Sequence, residues 1–202
     1  MNIITIILVI IAYLIGSIPF AIIVTKAMAL EDPRNYGSKN PGATNVLRSG
    51  DKLAAALTLM GDLLKGLIPV ALVLFMAKAW GQNAWGIACV SVAPVLGHMF
   101  PIFLRFAGGK GVATGFGVIL ALTPLIALIA VIAWLIVVFA MKLSSLGAIV
   151  ACVVAATLAF FLTEHQAYAI AIVFIVVLVL IRHHQNIRNL MAGTESKIGK
   201  KT

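Results

Sequence analysis

The chain has 202 residues, of which 62% are hydrophobic and only 10% charged. Soluble domains carry about a quarter charged residues, so this chain has too few charges to cover its own surface in water. The composition excludes an ordinary soluble enzyme, a disordered protein and a disulfide scaffold. The 15 Lys and Arg against 6 Asp and Glu give a formal charge of +9, which points to membrane lipid and an anionic substrate before nucleic acid.

A spanning helix needs about 20 apolar residues for a hydrocarbon core about 30 Å thick. Residues 3–30 carry the first such run, with a bend expected at Gly16, Ser17 and Pro19. The run lacks a basic start and a clean cleavage site, and the remainder is equally apolar, so it does not read as a signal peptide. A polar stretch, 31–52, precedes the second run at 53–77. Inside that run Asp62 and Lys65 share one helical face. Ionisable groups at membrane depth are costly and face a cavity or each other; an ion pair is the expected reading, a proton path the alternative. Trp80 and Trp85 flank an outer loop as interfacial aromatics do. Further apolar runs follow at 84–96, 112–141, 146–162 and 167–181, and a tail begins at Arg182. Cys89 and Cys152 lie within apolar runs and are expected as free thiols packed like small hydrophobes. Glu164 and His165 fall in an outer turn and receive no role.

The run at 112–141 is long for one crossing and short for two. Thr123 and Pro124 sit in its middle, and proline disfavours helix at the residue before it. Short loops rich in Lys and Arg stay cytoplasmic. The basic clusters are Arg34, Lys39, Arg48 and Lys52, then Arg105 and Lys110, then Arg182, Arg188, Lys197, Lys200 and Lys201. Two crossings separate the first cluster from the second. The second and third share a side only if four crossings separate them, which splits the ambiguous run at Pro124. The expected architecture is therefore all-α: one domain over 1–202, a polytopic membrane protein with seven transmembrane helices, the fourth of them short. Its N-terminus is outside, its C-terminus cytoplasmic, and its active site lies on the cytoplasmic side. Lys197, Lys200 and Lys201 read as lipid-attracting charges.

Three polar segments on that face carry the chemistry. The first, YGSKNPGATNVLR at 36–48, combines an open glycine- and proline-containing backbone with the neutral donors Ser38, Asn40, Thr44 and Asn45 and the planar fork of Arg48. Exposed amides with an Arg fork suit phosphate. The second, at 97–117, contains His98 and then Gly108, Gly109, Lys110 and Gly111 directly before an apolar helix, where backbone amides, a lysine and a positive helix end converge on an anion. It is not a Walker A loop: Gly111 follows Lys110 where Ser or Thr is needed, and Leu104 stands where the first glycine belongs. Nucleotide hydrolysis is disfavoured. The third, at 182–195, offers His183, His184, Asn186, Arg188 and Glu195. No carboxylate or cysteine stands at ligand spacing from the two histidines, so no metal is expected.

Taken together, the stretches at 16–19, 37–48, 97–101 with 108–114, and 183–195 resemble the bacterial acyl-phosphate:glycerol-3-phosphate acyltransferase family in order and spacing across nearly the whole chain. Lys39, Ala107, and His184 with Gln185 depart from the pattern associated with that family, which puts the fine charge around the donor phosphate in question. The resemblance implies a bacterial inner-membrane enzyme without cofactor. It passes a fatty acyl group from acyl phosphate to the 1-hydroxyl of sn-glycerol 3-phosphate, giving lysophosphatidic acid and phosphate in the first step of phospholipid synthesis. Its partners would be these two substrates and the bilayer, with no nucleic acid, and the enzyme is expected to be a monomer. No His-x-x-x-x-Asp box is present: Phe103, Ile170, Arg188 and Asn189 stand five residues after the four histidines.

Acyl phosphate is an activated mixed anhydride, so direct attack by the glycerol hydroxyl is the expected mechanism. Ser38, Arg48 and Lys110 are expected to hold the donor phosphate, and His183 with Asn186 to position glycerol phosphate. Amides near Gly42 or Gly109 are expected to stabilise the oxyanion. Asn40, Gly42, Thr44, Asn45, His98, Gly108, Gly109, Gly111, Arg188 and Glu195 complete the expected substrate contacts. Ser38 as nucleophile ranks below direct transfer, since no base stands at fixed spacing from it. The alternative from a different class is a membrane carrier for a phosphorylated metabolite, with Asp62 and Lys65 as its only midplane charges.

Overall fold

The computed structural model describes residues 2–198; Lys200 and Lys201 lie outside the described residues. All regular structure among these residues is helical. In chain order the helices are α1 (Ile3–Gly16), α2 (Phe20–Ala27), α3 (Ala43–Val46), α4 (Lys52–Phe75), α5 (Ala84–Met99), α6 (Val112–Leu122), α7 (Pro124–Met141), α8 (Ser144–Leu162), α9 (Gln166–Arg182) and α10 (His184–Met191). Short 3₁₀ turns occupy Leu47–Ser49 and Ile102–Leu104.

Local chemistry sets these boundaries. The Asn2 side chain caps α1 by accepting from the Thr5 amide, Asp51 caps α4 through Ala54, and Asn83 caps α5 through Gly86. Such caps occupy amides that the first helical turn leaves unpaired. Pro19 separates α1 from α2, and Pro124 starts α7 at a position where its missing N–H is harmless.

Packing follows membrane rules. Large apolar side chains point outward, with Phe75 85% and Phe139 and Phe161 each 79% exposed, whereas alanines and glycines line the contacts between helices. At Gly16 of α1 a Cβ would run into the Pro94 backbone of α5, and at Gly97 of α5 into the Tyr13 carbonyl of α1. Gly66 of α4 meets the Thr114 carbonyl of α6, and Gly117 of α6 meets the Leu63 carbonyl of α4. Two helix pairs thus approach backbone to backbone through reciprocal glycines, the usual solution where lipid provides no hydrophobic drive between helices. A central cluster of Val70, Val95, Met99, Val118, Ile175 and Val179 joins α4, α5, α6 and α9.

The helix breaks between Gly16 and Phe20, where Ser17 and Pro19 were expected to interrupt it. The Asp62–Lys65 ion pair is also present, at 2.7 Å and with both side chains 3% exposed. Lys65 Nζ also donates to the Ile18 carbonyl at 2.9 Å, in the break between α1 and α2. Both cysteines are free thiols as expected, but Cys89 is exposed on α5 and Cys152 on α8 is only half-buried.

Five helical stretches are long and apolar enough to cross a membrane, and a sixth qualifies if α9 and α10, bent by 59°, form one span. The seventh apolar helix is α6, whose 11 residues reach only about 16 Å. The expected count of seven rests on this helix. The chain leaves one end of the bundle at Lys110, which contacts Asn186, and has returned to that end by Ser145, which contacts Glu195. The reversal falls at Thr123 and Pro124.

Candidate active site

The first polar segment is shaped by Asn45. Its carboxamide is buried, donates to the Pro33 carbonyl at 2.6 Å and the Tyr36 carbonyl at 3.3 Å, and accepts the Ser38 amide at 3.0 Å. Gly37 has φ +54°, and a Cβ there would press on Asn45 Oδ1 at 2.5 Å and Arg48 Cδ at 3.0 Å. Only glycine lets the strand turn this tightly over the arginine stem. The result is a rigid loop that presents Ser38, Lys39 and Asn40 to one side.

The second segment lies across α5. His98, placed by the sequence reading in a loop, belongs to the last turn of α5 and is buried. The helix continues that far because its stop is Pro101. The Gly109 amide donates to the His98 carbonyl at 3.1 Å. A Cβ on Gly109 would overlap His98 Nε2, and one on Gly108 would overlap the His98 carbonyl. Gly111, at φ +81°, turns the chain into α6. Glycine at these positions lets the backbone lie flat on the histidine.

The third segment clasps the second. Arg182 donates from Nη2 to the Gly108 carbonyl at 2.8 Å and from Nε to the Gly109 carbonyl at 3.2 Å, with its guanidinium over the Phe100 ring at 5.6 Å. Lys110 Nζ donates to Asn186 Oδ1 at 2.5 Å, Asn186 Nδ2 donates to Glu195 Oε1 at 2.7 Å, and Ser145 Oγ donates to the same oxygen at 2.6 Å. His183 is buried, and its Nδ1 lies 2.7 Å from the Val179 carbonyl. A carbonyl only accepts, so Nδ1 carries the proton and Nε2 is left as an acceptor. Burial pushes the Lys110 ammonium below the ordinary lysine value; Glu195 opposes this, and Arg48 and Arg182 add to it.

Between the segments lies a cleft of about 450 Å³, within the range of small-molecule sites. Its walls include Ser38, Asn40, Gly108, Lys110 and Arg182. Arg34 also borders it, but that charge is matched by Asp32 at 2.6 Å, and the pairing holds the Asp32 carboxyl below its usual value.

Of the residues expected at the site, Ser38, Asn40, Gly108 and Lys110 line the cleft, and Asn186 and Glu195 join it through Lys110. Four expectations meet a different geometry. Asn45 and His98 are buried under the loops they support and act as scaffold. The Gly42 amide donates to the Asn40 carbonyl at 2.9 Å and the Gly109 amide to His98, so neither is free for an oxyanion. Thr44 faces Ser144 at 3.3 Å. Arg188 is exposed on α10 and makes no side-chain hydrogen bond or ion pair among the described residues. Sequence reasoning missed Arg182 and Ser145. Arg182 directly precedes His183 and was counted in the basic cluster of the tail, but it received no site role. Ser145 lies in the short break at 142–145 beside Lys142 and Ser144, where nothing marked it as a site residue.

Comparison with known proteins bears on this arrangement. A family model described as glycerol-3-phosphate acyltransferase matches residues 6–193. The glycerol-3-phosphate acyltransferase of Neisseria gonorrhoeae (strain ATCC 700825 / FA 1090) is 52% identical over 191 residues, covering 95% of this chain and 96% of that protein. That of Chromobacterium violaceum is 52% identical over 191 residues, covering 94% and 93%. Two crystal structures of PlsY (YgiH), described as an integral membrane glycerol 3-phosphate acyltransferase, are also similar. Its glycerol 3-phosphate form matches with a TM-score of 0.89 at 38% identity over 96% of each chain. Its lysophosphatidic acid form matches with a TM-score of 0.88 at 36% identity over 96% of this chain and 95% of that one.

Proposed function

Because the chain belongs to the glycerol-3-phosphate acyltransferase family, and is thus a multi-pass membrane acyltransferase, we propose that its acyl donor is acyl phosphate and its acceptor the 1-hydroxyl of sn-glycerol 3-phosphate. The observation that carries this reading is the cleft walled by two glycine-bearing loops and by Lys110 and Arg182. Two phosphorylated substrates need two anion sites within bonding range of each other, and the opposed loops supply them.

The glycerol hydroxyl oxygen attacks the acyl carbonyl carbon. The bond between that carbon and the phosphate oxygen breaks, and the hydroxyl proton passes to the departing phosphate. The products are 1-acyl-glycerol 3-phosphate and inorganic phosphate. Lys110 Nζ, the Arg48 guanidinium and the Ser38 hydroxyl hold the donor phosphate. The amides of Lys110 and Gly111, next to Gly109, have no hydrogen-bond partner among the described residues and take the expected oxyanion role. His183 Nε2 accepts from the glycerol phosphate and directs its hydroxyl. Asn186 and Glu195 hold the Lys110 ammonium in place until phosphate replaces them. Ser38 Oγ has no base in contact among the described residues, which favours direct transfer over an acyl-serine.

The same parity of loops supports an N-terminus outside and a cytoplasmic C-terminus, with α6 as a short crossing, and we assign the site to the cytoplasmic face. In an assay of purified protein with glycerol 3-phosphate and palmitoyl phosphate, lysophosphatidate forms, and Arg48→Ala and Lys110→Ala each lose nearly all transfer. Absence of product with well-folded wild-type protein would overturn the donor assignment, and wild-type rates in both variants would overturn the residue roles.

A further inference from the structure

Asp62 and Lys65 are buried ionisable groups that the proposed reaction does not use. They lie directly beneath its floor. A narrow crevice lined by Asp62, Lys65, His98 and Gly109 adjoins the cleft at Pro41 and Gly108, residues common to both. Asp62 Oδ1 lies 3.5 Å from His98 Nδ1 and 2.7 Å from Lys65 Nζ. Thr114 Oγ1 lies 3.2 Å from the same imidazole nitrogen. The opposite edge of the ring abuts Gly109, and the His98 carbonyl holds the Gly109 amide. The path of Gly108, Gly109 and Lys110 is thus laid on His98, and the orientation of His98 is set by Asp62 and Thr114.

Buried ion pairs add little stability, and well-packed apolar pairs replace many of them without loss. A pair placed under a catalytic loop can instead hold that loop's support in register. We propose that Asp62 is a positioning residue: through its contact with His98 Nδ1, and together with Thr114, it fixes the imidazole on which the Gly108–Gly109–Lys110 loop rests, and so places Lys110 and the neighbouring amides. Lys65 neutralises Asp62 and ties it to the α1–α2 break. This inference rests on the acyl-transfer reading, and the wild-type protein in the same assay separates the two: it must be active for the variants to be informative.

The test compares two charge-neutral double variants of the full chain in detergent, with palmitoyl phosphate and glycerol 3-phosphate. In Asp62→Leu/Lys65→Met the carboxylate beside His98 is gone and only Thr114 Oγ1 remains at Nδ1, while the Ile18 carbonyl keeps its bond from the Phe20 amide. In Asp62→Asn/Lys65→Met an uncharged acceptor remains. The first is expected to keep the wild-type melting temperature and to lose about 10²-fold in kcat, the scale of a small misplacement of reacting groups. The second is expected to recover most of that loss, a rescue that a merely structural pair would not show. Wild-type kcat in the Leu/Met variant overturns the proposal, as does equal loss in both variants at an unchanged melting temperature. If only the Leu/Met variant fails to fold, the Asn/Met variant decides: near wild-type kcat supports positioning, and loss overturns it. Failure of both to fold overturns it too, since the pair would then be a folding requirement.

Discussion

Lys110 is held by opposing influences. Burial, Arg48 and Arg182 disfavour its charge, and Glu195 favours it. Its value in the free protein lies below that of an ordinary lysine, so the ammonium is present below that lowered value and is lost as pH rises through it. The kcat/KM for acyl phosphate therefore falls on the alkaline side earlier than an unperturbed lysine would dictate. In Lys110→Arg the guanidinium stays charged, and the alkaline fall moves to higher pH even though the variant is slower; coincident pH profiles for the two proteins would contradict this. Gly109→Ala tests the floor of the site. Its methyl overlaps the His98 ring, and the loop must lift to relieve it. Overpacking of this kind costs about 1–3 kcal/mol, so a lower melting temperature together with lost transfer is expected, and an unaltered enzyme would show that the loop does not rest on His98. At this scale the sequence was informative about residue type and poor about orientation. Ser38 and Lys110, chosen for side chains that suit anions, line the cleft, and Asn186 reaches it through Lys110. Asn45 and His98 carry the same polar signature, yet turn inward, since an amide or imidazole that holds a loop looks in one dimension like one that holds a ligand.

Helix contacts rather than side-chain volume hold the elements together. Gly66 and Gly117 let α4 and α6 touch through their backbones, and α6 is too short to be retained by lipid burial alone. Gly66→Leu drives a side chain into the Thr114 carbonyl and separates the pair. Destabilisation of at least about 1–3 kcal/mol is expected, read as a drop in the detergent unfolding midpoint, together with weaker activity because Thr114 also contacts His98. The elements were largely legible. The apolar runs at 53–77, 146–162 and 167–181 correspond to α4 (Lys52–Phe75), α8 (Ser144–Leu162) and α9 (Gln166–Arg182) within two residues at each end, because a membrane helix announces itself by hydropathy. The break at Pro124 was legible from proline chemistry. The end of α5 was not: Gly97 and His98 look like a polar turn, but the glycine is a contact point for α1 and the histidine a buried support, so the helix runs on to Met99.

Across the whole molecule, the three polar segments meet at one end, and the loop that carries Lys142 joins them: Ile198 donates its amide to the Lys142 carbonyl at 2.8 Å. Lys78, after α4, lies in the loop leading to α5, at the opposite end. In a background with Cys89 and Cys152 replaced by serine, Lys142→Cys is expected to react with an impermeant thiol reagent only from the cytoplasmic side of oriented vesicles, and Lys78→Cys only from the other. The same accessibility for both would remove α6 as a crossing. The topological expectation rests on charge, because lysines and arginines are retained on one side, and the short fourth helix was expected from the position of Pro124.

The bond between Lys110 and Asn186 joins residues 76 apart, and its further anchor on Glu195 comes nine residues later still. Lys110 is therefore synthesised well before the groups that aim it, and a chain that lacks its last segment has the second loop without the contacts that orient its lysine.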